Sequence, residues 1–187
     1  MKKIVLKIIL SIFIIFLLWL LLYFFVFDNG NSLDSSSLFI QFHNDDILEV
    51  TNKLPLSDEL GKNDECDESS DFIDCINFTI RNISSEMVNY EIYITKEYNK
   101  SEIKGDYIIY YLSDDSNYLL KGYDTNILPS YKSLLSLSDK PYAKLLYSGS
   151  LSSEEKKNFI LKTWVSDSYT ISDNLEKFRV NVNIRVK

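Results

Sequence analysis

The sequence is poor in the residues that catalytic and metal chemistry most often draw on. In 187 residues it has one histidine, two cysteines, three prolines and five glycines. A single histidine, His43, cannot supply a His-Glu-x-x-His metalloprotease helix, nor any site built on several imidazoles. Two thiols would need two more soft ligands to complete a structural zinc site. No glycine-rich phosphate loop or dinucleotide fingerprint occurs. Basic residues are in the minority as well, 20 Lys and Arg against 27 Asp and Glu. That sign of charge opposes binding to nucleic acid, so no nucleic-acid partner is expected.

What is present divides unevenly. Residues 1–27 hold three lysines and no acid; the other 17 basic residues share 28–187 with all 27 acids, a net charge of −10. Ile8 to Phe27 is a run of 20 residues broken only by Ser11. As a helix it would extend roughly 30 Å, the thickness of a bilayer core. Lys2, Lys3 and Lys7 precede it, and Asp28 follows. The positive-inside rule then predicts a cytoplasmic segment 1–7, a transmembrane helix 8–27 and an extracellular remainder, a single-pass signal-anchor arrangement in the cell membrane. The exit Phe24-Phe25-Val26-Phe27 is bulky where a signal peptidase needs small residues, so the segment is expected to stay in place. Residues 28–37 (DNGNSLDSSS) read as a polar tether.

Beyond the tether the pattern has period two. Phe178, Val180, Val182, Ile184 and Val186 alternate with Arg179, Asn181, Asn183, Arg185 and Lys187, placing five apolar side chains on one face of a strand. Ile76, Phe78 and Ile80 oppose Asn77, Thr79 and Arg81. After a turn near Ser84-Ser85, Tyr90, Ile92 and Ile94 line a face opposite Glu91 and Thr95. Further strands are expected at Leu38–Phe42, Ile47–Thr51, Tyr107–Leu112, Tyr118–Lys121, Ala143–Tyr147 and Phe159–Val165. The stretch between Ile127 and Leu137 is less regular and has room for a helical turn. Short strands with polar turns predict two antiparallel sheets packed face to face over residues 38–187.

The segments LPLSDELG (54–61), FTIRNISSEMVNYEIYI (78–94) and LLYSGSLSSEEKKNFILKTWVSDSY (145–169) resemble a plan recurrent in uncharacterised surface proteins of low-GC Gram-positive bacteria and mollicute relatives. A Phe-x-x-x-Asn strand leads to a tyrosine-rich strand, then a glycine turn, a Trp-Val strand and a long closing strand. The plan is distantly similar to camelysin and the biofilm-fibre proteins. That resemblance implies an Ig-like β-sandwich and a structural or partner-binding role at the cell surface, without catalysis.

Cys66 and Cys75 would both lie outside the membrane, where a disulfide closing a ten-residue loop is expected. Around them Asp64, Asp67, Glu68, Asp71 and Asp74 are candidate calcium ligands, because hard cations gather carboxylate oxygens. The spacing is not that of an EF-hand, and a solvated acidic loop is the simpler reading. A cation- or ligand-binding sensory module built on this loop is the alternative function. His43-Asn44-Asp45-Asp46 reads as a turn between strands. Sequons stand at Asn77, Asn82 and Asn99. The tyrosines between 107 and 131, and Trp164, read as packing residues. The final segment 177–187 is a candidate for strand exchange between copies, against the simpler expectation that it completes its own sheet. No catalytic residue and no cofactor is assigned; the expected partners are the membrane, through 8–27, and a surface protein or a second copy of the chain.

Overall fold

The period-two alternation resolves into eight paired strands. The computed structural model describes residues 37–43, 45–51, 53–66, 70–98, 102–115, 117–120, 128–170 and 176–187. The expected segment 1–7, the helix 8–27 and the tether up to residue 36 lie outside them. Among the described residues no helix is long and apolar enough to cross a membrane. Ser37–Lys187 makes one compact unit.

The strands are β1 (Leu38–Phe42), β2 (Ile47–Thr51), β3 (Ile73–Asn82), β4 (Val88–Lys96), β5 (Ile108–Asp114), β6 (Ala143–Leu151), β7 (Lys156–Val165) and β8 (Lys177–Val186); a six-residue helix, α1 (Asp58–Asn63), precedes β3. They form two four-stranded sheets in the orders β1-β3-β7-β5 and β2-β8-β4-β6, with every neighbouring pair antiparallel. The odd strands make the first sheet and the even strands the second. Every connection therefore passes from one sheet to the other, and no two consecutive strands are neighbours. The immunoglobulin constant plan sets several consecutive strands side by side. The order here differs from it, and the common ground is a two-layer β-sandwich.

Between the layers lie the side chains that the alternation marked. Ile76, Phe78 and Ile80 meet Tyr90, Ile92 and Ile94, all nearly or fully buried, with Phe178, Val180 and Val182 beside them. Phe78 stacks on Phe159 with ring centroids 5.2 Å apart. Ile184 and Val186 are only partly buried against this core. Burying a side chain of this size stabilises by about 1.5–3 kcal/mol, so the inter-sheet layer carries most of the fold.

A second apolar cluster lies on the outer face of the first sheet. Trp164, with Leu56, Ile73, Ile109 and Leu128, packs there beneath α1. Trp164 is a packing residue as expected, but of this outer cluster. The helix rests flat on the indole: a Cβ on Gly61 would come 2.5 Å from Trp164 Cε2. Ser57 caps the helix, its hydroxyl accepting from the Leu60 N–H, and Asp58 and Glu59 occupy the first turn, where the helix dipole favours acids.

Of the strand expected at Tyr118–Lys121, Lys121 lies outside the described residues and Tyr118 makes a single bridge to Ser113; the irregular stretch turns at Ser130, whose carbonyl accepts from the Ser133 and Leu134 N–H groups. The closing segment, β8, sits between β2 and β4. It completes its own sheet, as the simpler reading has it.

Candidate functional site

Two features bear on function: the acidic cysteine corner and the strand edges of the sandwich. At the corner Cys66 follows α1 and Cys75 lies on β3, with Cα atoms 5.8 Å apart and the sulfurs joined. That separation is ordinary for a disulfide. Lys162 of β7 sits beneath the helix exit and donates to the carbonyls of Lys62 at 2.9 Å and Asp64 at 2.5 Å. A cation here satisfies carbonyls left open at a helix C-terminus. Burial lowers its pKa, against the pull of Asp64.

The five candidate calcium ligands do not come together as a set. Asp67 and Glu68 lie outside the described residues. Asp71 is exposed, and Asp64 accepts from Ser70 Oγ at 3.2 Å. Asp74 is engaged elsewhere: its Oδ2 accepts the Glu49 N–H at 2.6 Å and its Oδ1 the Cys75 N–H at 3.0 Å. Among the described residues no three His, Cys, Asp or Glu side chains converge as metal ligands would. Burial raises the pKa of Asp74, and the Glu49 N–H and the charge of Lys53 only partly offset that.

His43 lies exposed just past β1, its N–H bonded to the Asn77 carbonyl, and Asp45 accepts the Asp46 N–H in the turn to β2. Asn44 lies outside the described residues, and those on either side form the bend between β1 and β2. Of the sequons, Asn99 lies outside the described residues. Asn82 is fully buried, and its amide donates to the carbonyls of Glu86, Leu151 and Ser152 while its Oδ1 accepts from Ser84. It ties the corner after β3 to the corner after β6.

The strand edges differ in how they are closed. Along β5 the outward groups are bonded: Tyr110 N–H to the Pro129 carbonyl, and the carbonyls of Ile108 and Leu112 from Tyr131 and Leu119. The first half of β6 is covered by residues 135–137 through the bonds Leu145 N–H to Leu135 and Leu137 N–H to Ala143. On β2 the central outward N–H, Glu49, is held by Asp74.

β1 is different. The bonds of His43 to Asn77 and of Ile83 to Ser37 set the register in which Phe39 and Gln41 face β3. Alternation then turns the N–H and C=O groups of Leu38, Ile40 and Phe42 outward. No bond closes this edge among the described residues, and the Phe39 side chain is half exposed.

Periodicity had no way to reveal the roles of Asp74, Asn82 or the edges. Each depends on which strands become neighbours. No protein-family model matches the chain, and no curated protein is detectably similar to it in sequence.

Proposed function

We propose that this chain is a membrane-anchored, extracytoplasmic β-sandwich that binds a partner at the cell surface without catalysing a reaction. The observation that carries the reading is the open edge of β1. An edge with unused N–H and C=O groups is a template for an added strand, and natural sheets usually blunt theirs. Three of the four edges here are covered or capped in whole or part, and among the described residues no bond closes β1. The anchor rests on the apolar run Ile8–Phe27 and the lysines before it. The resemblance to surface and fibre proteins points the same way. The alternative, a cation sensor on the cysteine corner, has less support because Asp74 already spends both oxygens on backbone N–H groups.

The test uses Ile40→Pro in the full chain. The N–H of Ile40 points away from β3, so proline there removes no bond of the native ladder while it blocks an added strand. Capture of a partner, or self-association, from native membranes should be lost in Ile40→Pro with the far-ultraviolet spectrum unchanged. Binding as in the parent chain would rule out the β1 edge. Protease added to intact cells should digest residues 37–187; protection would rule out the topology.

A further inference from the structure

A groove of about 560 Å³ lies where the end of β6 faces β4 and β7, and it shares no lining residue with the cysteine corner or with β1. Gly149 forms its floor. A Cβ there would come 2.9 Å from Tyr90 Oη, 3.0 Å from Tyr147 Oη and 2.5 Å from Tyr147 Cε1, so the missing side chain is what leaves room for two phenols to converge. Tyr90 is wholly buried, and its hydroxyl has no hydrogen-bond partner among the described residues. That hydroxyl has no surface open to the groove, so the phenol a ligand would meet is that of the half-buried Tyr147.

The rim is polar and cationic. Lys157 and Lys187 line it, and no Asp or Glu does so among the described residues, in a chain of net charge −7. Each ammonium also has a glutamate nearby, Glu155 at 3.6 Å and Glu91 at 3.2 Å. The local charge is therefore close to balanced, and a bare anion would gain little. The backbone adds donors and acceptors. The bond from Lys187 N–H to the Asn89 carbonyl places Asn89 and Glu91 toward β8, which directs Tyr90 to Gly149 and turns the N–H and C=O groups of Ser148 and Ser150 outward beside the groove. That open stretch ends at Leu151 and is bounded at its start by the cover over residues 143–145. Two outward residues are too few to seat an added strand, which normally runs five or six.

We infer that this groove binds a carboxylated saccharide, its hydroxyls bonded to Tyr147 and the β6 backbone and its carboxylate held between Lys157 and Lys187. A sugar hydroxyl both donates and accepts, matching a wall of phenol, serines and peptide groups, and the two ammonium groups, already balanced by Glu155 and Glu91, add to the binding of a carboxylate that the hydroxyls bring to the rim. The Tyr147 ring supplies flat apolar surface for the sugar face.

The test is titration calorimetry of the full chain in detergent micelles with three probes: a glucuronate oligosaccharide, a glucose oligosaccharide of equal length, and acetate. The glucuronate should bind, the neutral sugar about tenfold more weakly, and acetate not at all over the same millimolar range. Lys157→Gln with Lys187→Gln should cost about tenfold, and Gly149→Ala should abolish binding by pushing the Tyr147 ring out of place. Thermal melts of each variant identify any that fails to fold. Lys157→Arg with Lys187→Arg, which keeps both charges, should retain the affinity. Absence of glucuronate binding, equal binding of the neutral sugar, equal binding of acetate, or affinity unchanged in the folded double glutamine variant would each overturn the assignment.

Discussion

Asp74 on β3 accepts the backbone N–H of Glu49 on β2 at 2.6 Å, so a side chain of the first sheet closes the edge of the second. The bond replaces the strand that would otherwise sit beside β2. Asp74→Ala leaves that N–H without its charged acceptor and should lower the unfolding free energy by about 1.5–3 kcal/mol. Asp74→Asn keeps an acceptor and should cost less. Burial raises the carboxyl pKa, so the native state holds the Asp74 proton more tightly than the unfolded chain. Its contribution to stability therefore grows as pH falls from above the raised value toward the ordinary carboxylate range. Urea melts of parent and Asp74→Asn chains across pH 4–7 (about the range concerned) should show the parent gaining relative to the variant on acidification. A difference independent of pH would refute the assignment.

Asn82 carries the corner between β3 and β4. Its amide satisfies three carbonyls from two separate loops, and no water reaches it. Asn82→Ala should destabilise by about 3 kcal/mol, because the carbonyls lose their donors inside the fold. Asn82→Asp should be at least as harmful, since it turns an acceptor oxygen toward them. Denaturant midpoints with an unchanged m-value are the readout. The same burial predicts no glycan on Asn82 when the folded protein is offered to a glycosyltransferase.

How much of this was legible in the sequence depends on whether an interaction is local or reaches across the fold. Phe178 to Val186 alternate, and they form a strand with one buried face because the alternation is the pleat itself. Ser57 with Asp58, Glu59 and Lys62 also carried a capping signal for α1, which is short enough to pass unnoticed. Trp164 reads as core, yet only the position of Gly61 shows that α1 covers it on an outer face. Glu91 reads, with Thr95, as part of the face opposite Tyr90, Ile92 and Ile94. It is buried because Arg185 of β8 and Lys187 just beyond it fold over it. The groove over Gly149 joins Tyr90, Tyr147, Lys157 and Lys187, residues as much as 97 positions apart. No spacing rule connects them, because strand order rather than strand pattern brings them together.

The Cys66–Cys75 link predicts a redox-dependent stability. In the chain-entropy treatment a ten-residue loop is worth about 2.7 kcal/mol. The non-reduced chain should show no thiol reactive with Ellman's reagent under denaturant, since no cysteine is free. Reduction, or Cys66→Ala with Cys75→Ala, should shift the denaturation midpoint down by a corresponding amount. Two reactive thiols in protein purified without reductant would refute the link.

Glu91 and Arg185 set the acid limb of the stability curve. The Glu91 side chain is 5% exposed and meets Arg185 at 2.7 Å and Lys187 at 3.2 Å. Burial works against its charge, but the hydrogen bonds from Arg185 and Lys187 outweigh burial and hold its pKa below the usual glutamate value. A carboxylate depressed in the native state stabilises the fold above its unfolded pKa, and that contribution is lost as pH falls through the depressed value. Arg185→Met removes the stronger partner and leaves a nearly buried carboxylate on Lys187 alone. The variant should be about 1–3 kcal/mol less stable at neutral pH, and the deficit should shrink below about pH 4, where Glu91 begins to take up its proton in the unfolded chain. Glu91→Gln should lose the acid limb in the same way and leave the stability curve flatter between about pH 2 and 5. If Arg185→Met and the parent chain melt in parallel across that range, the pair contributes no linked protonation and Glu91 is held by packing alone.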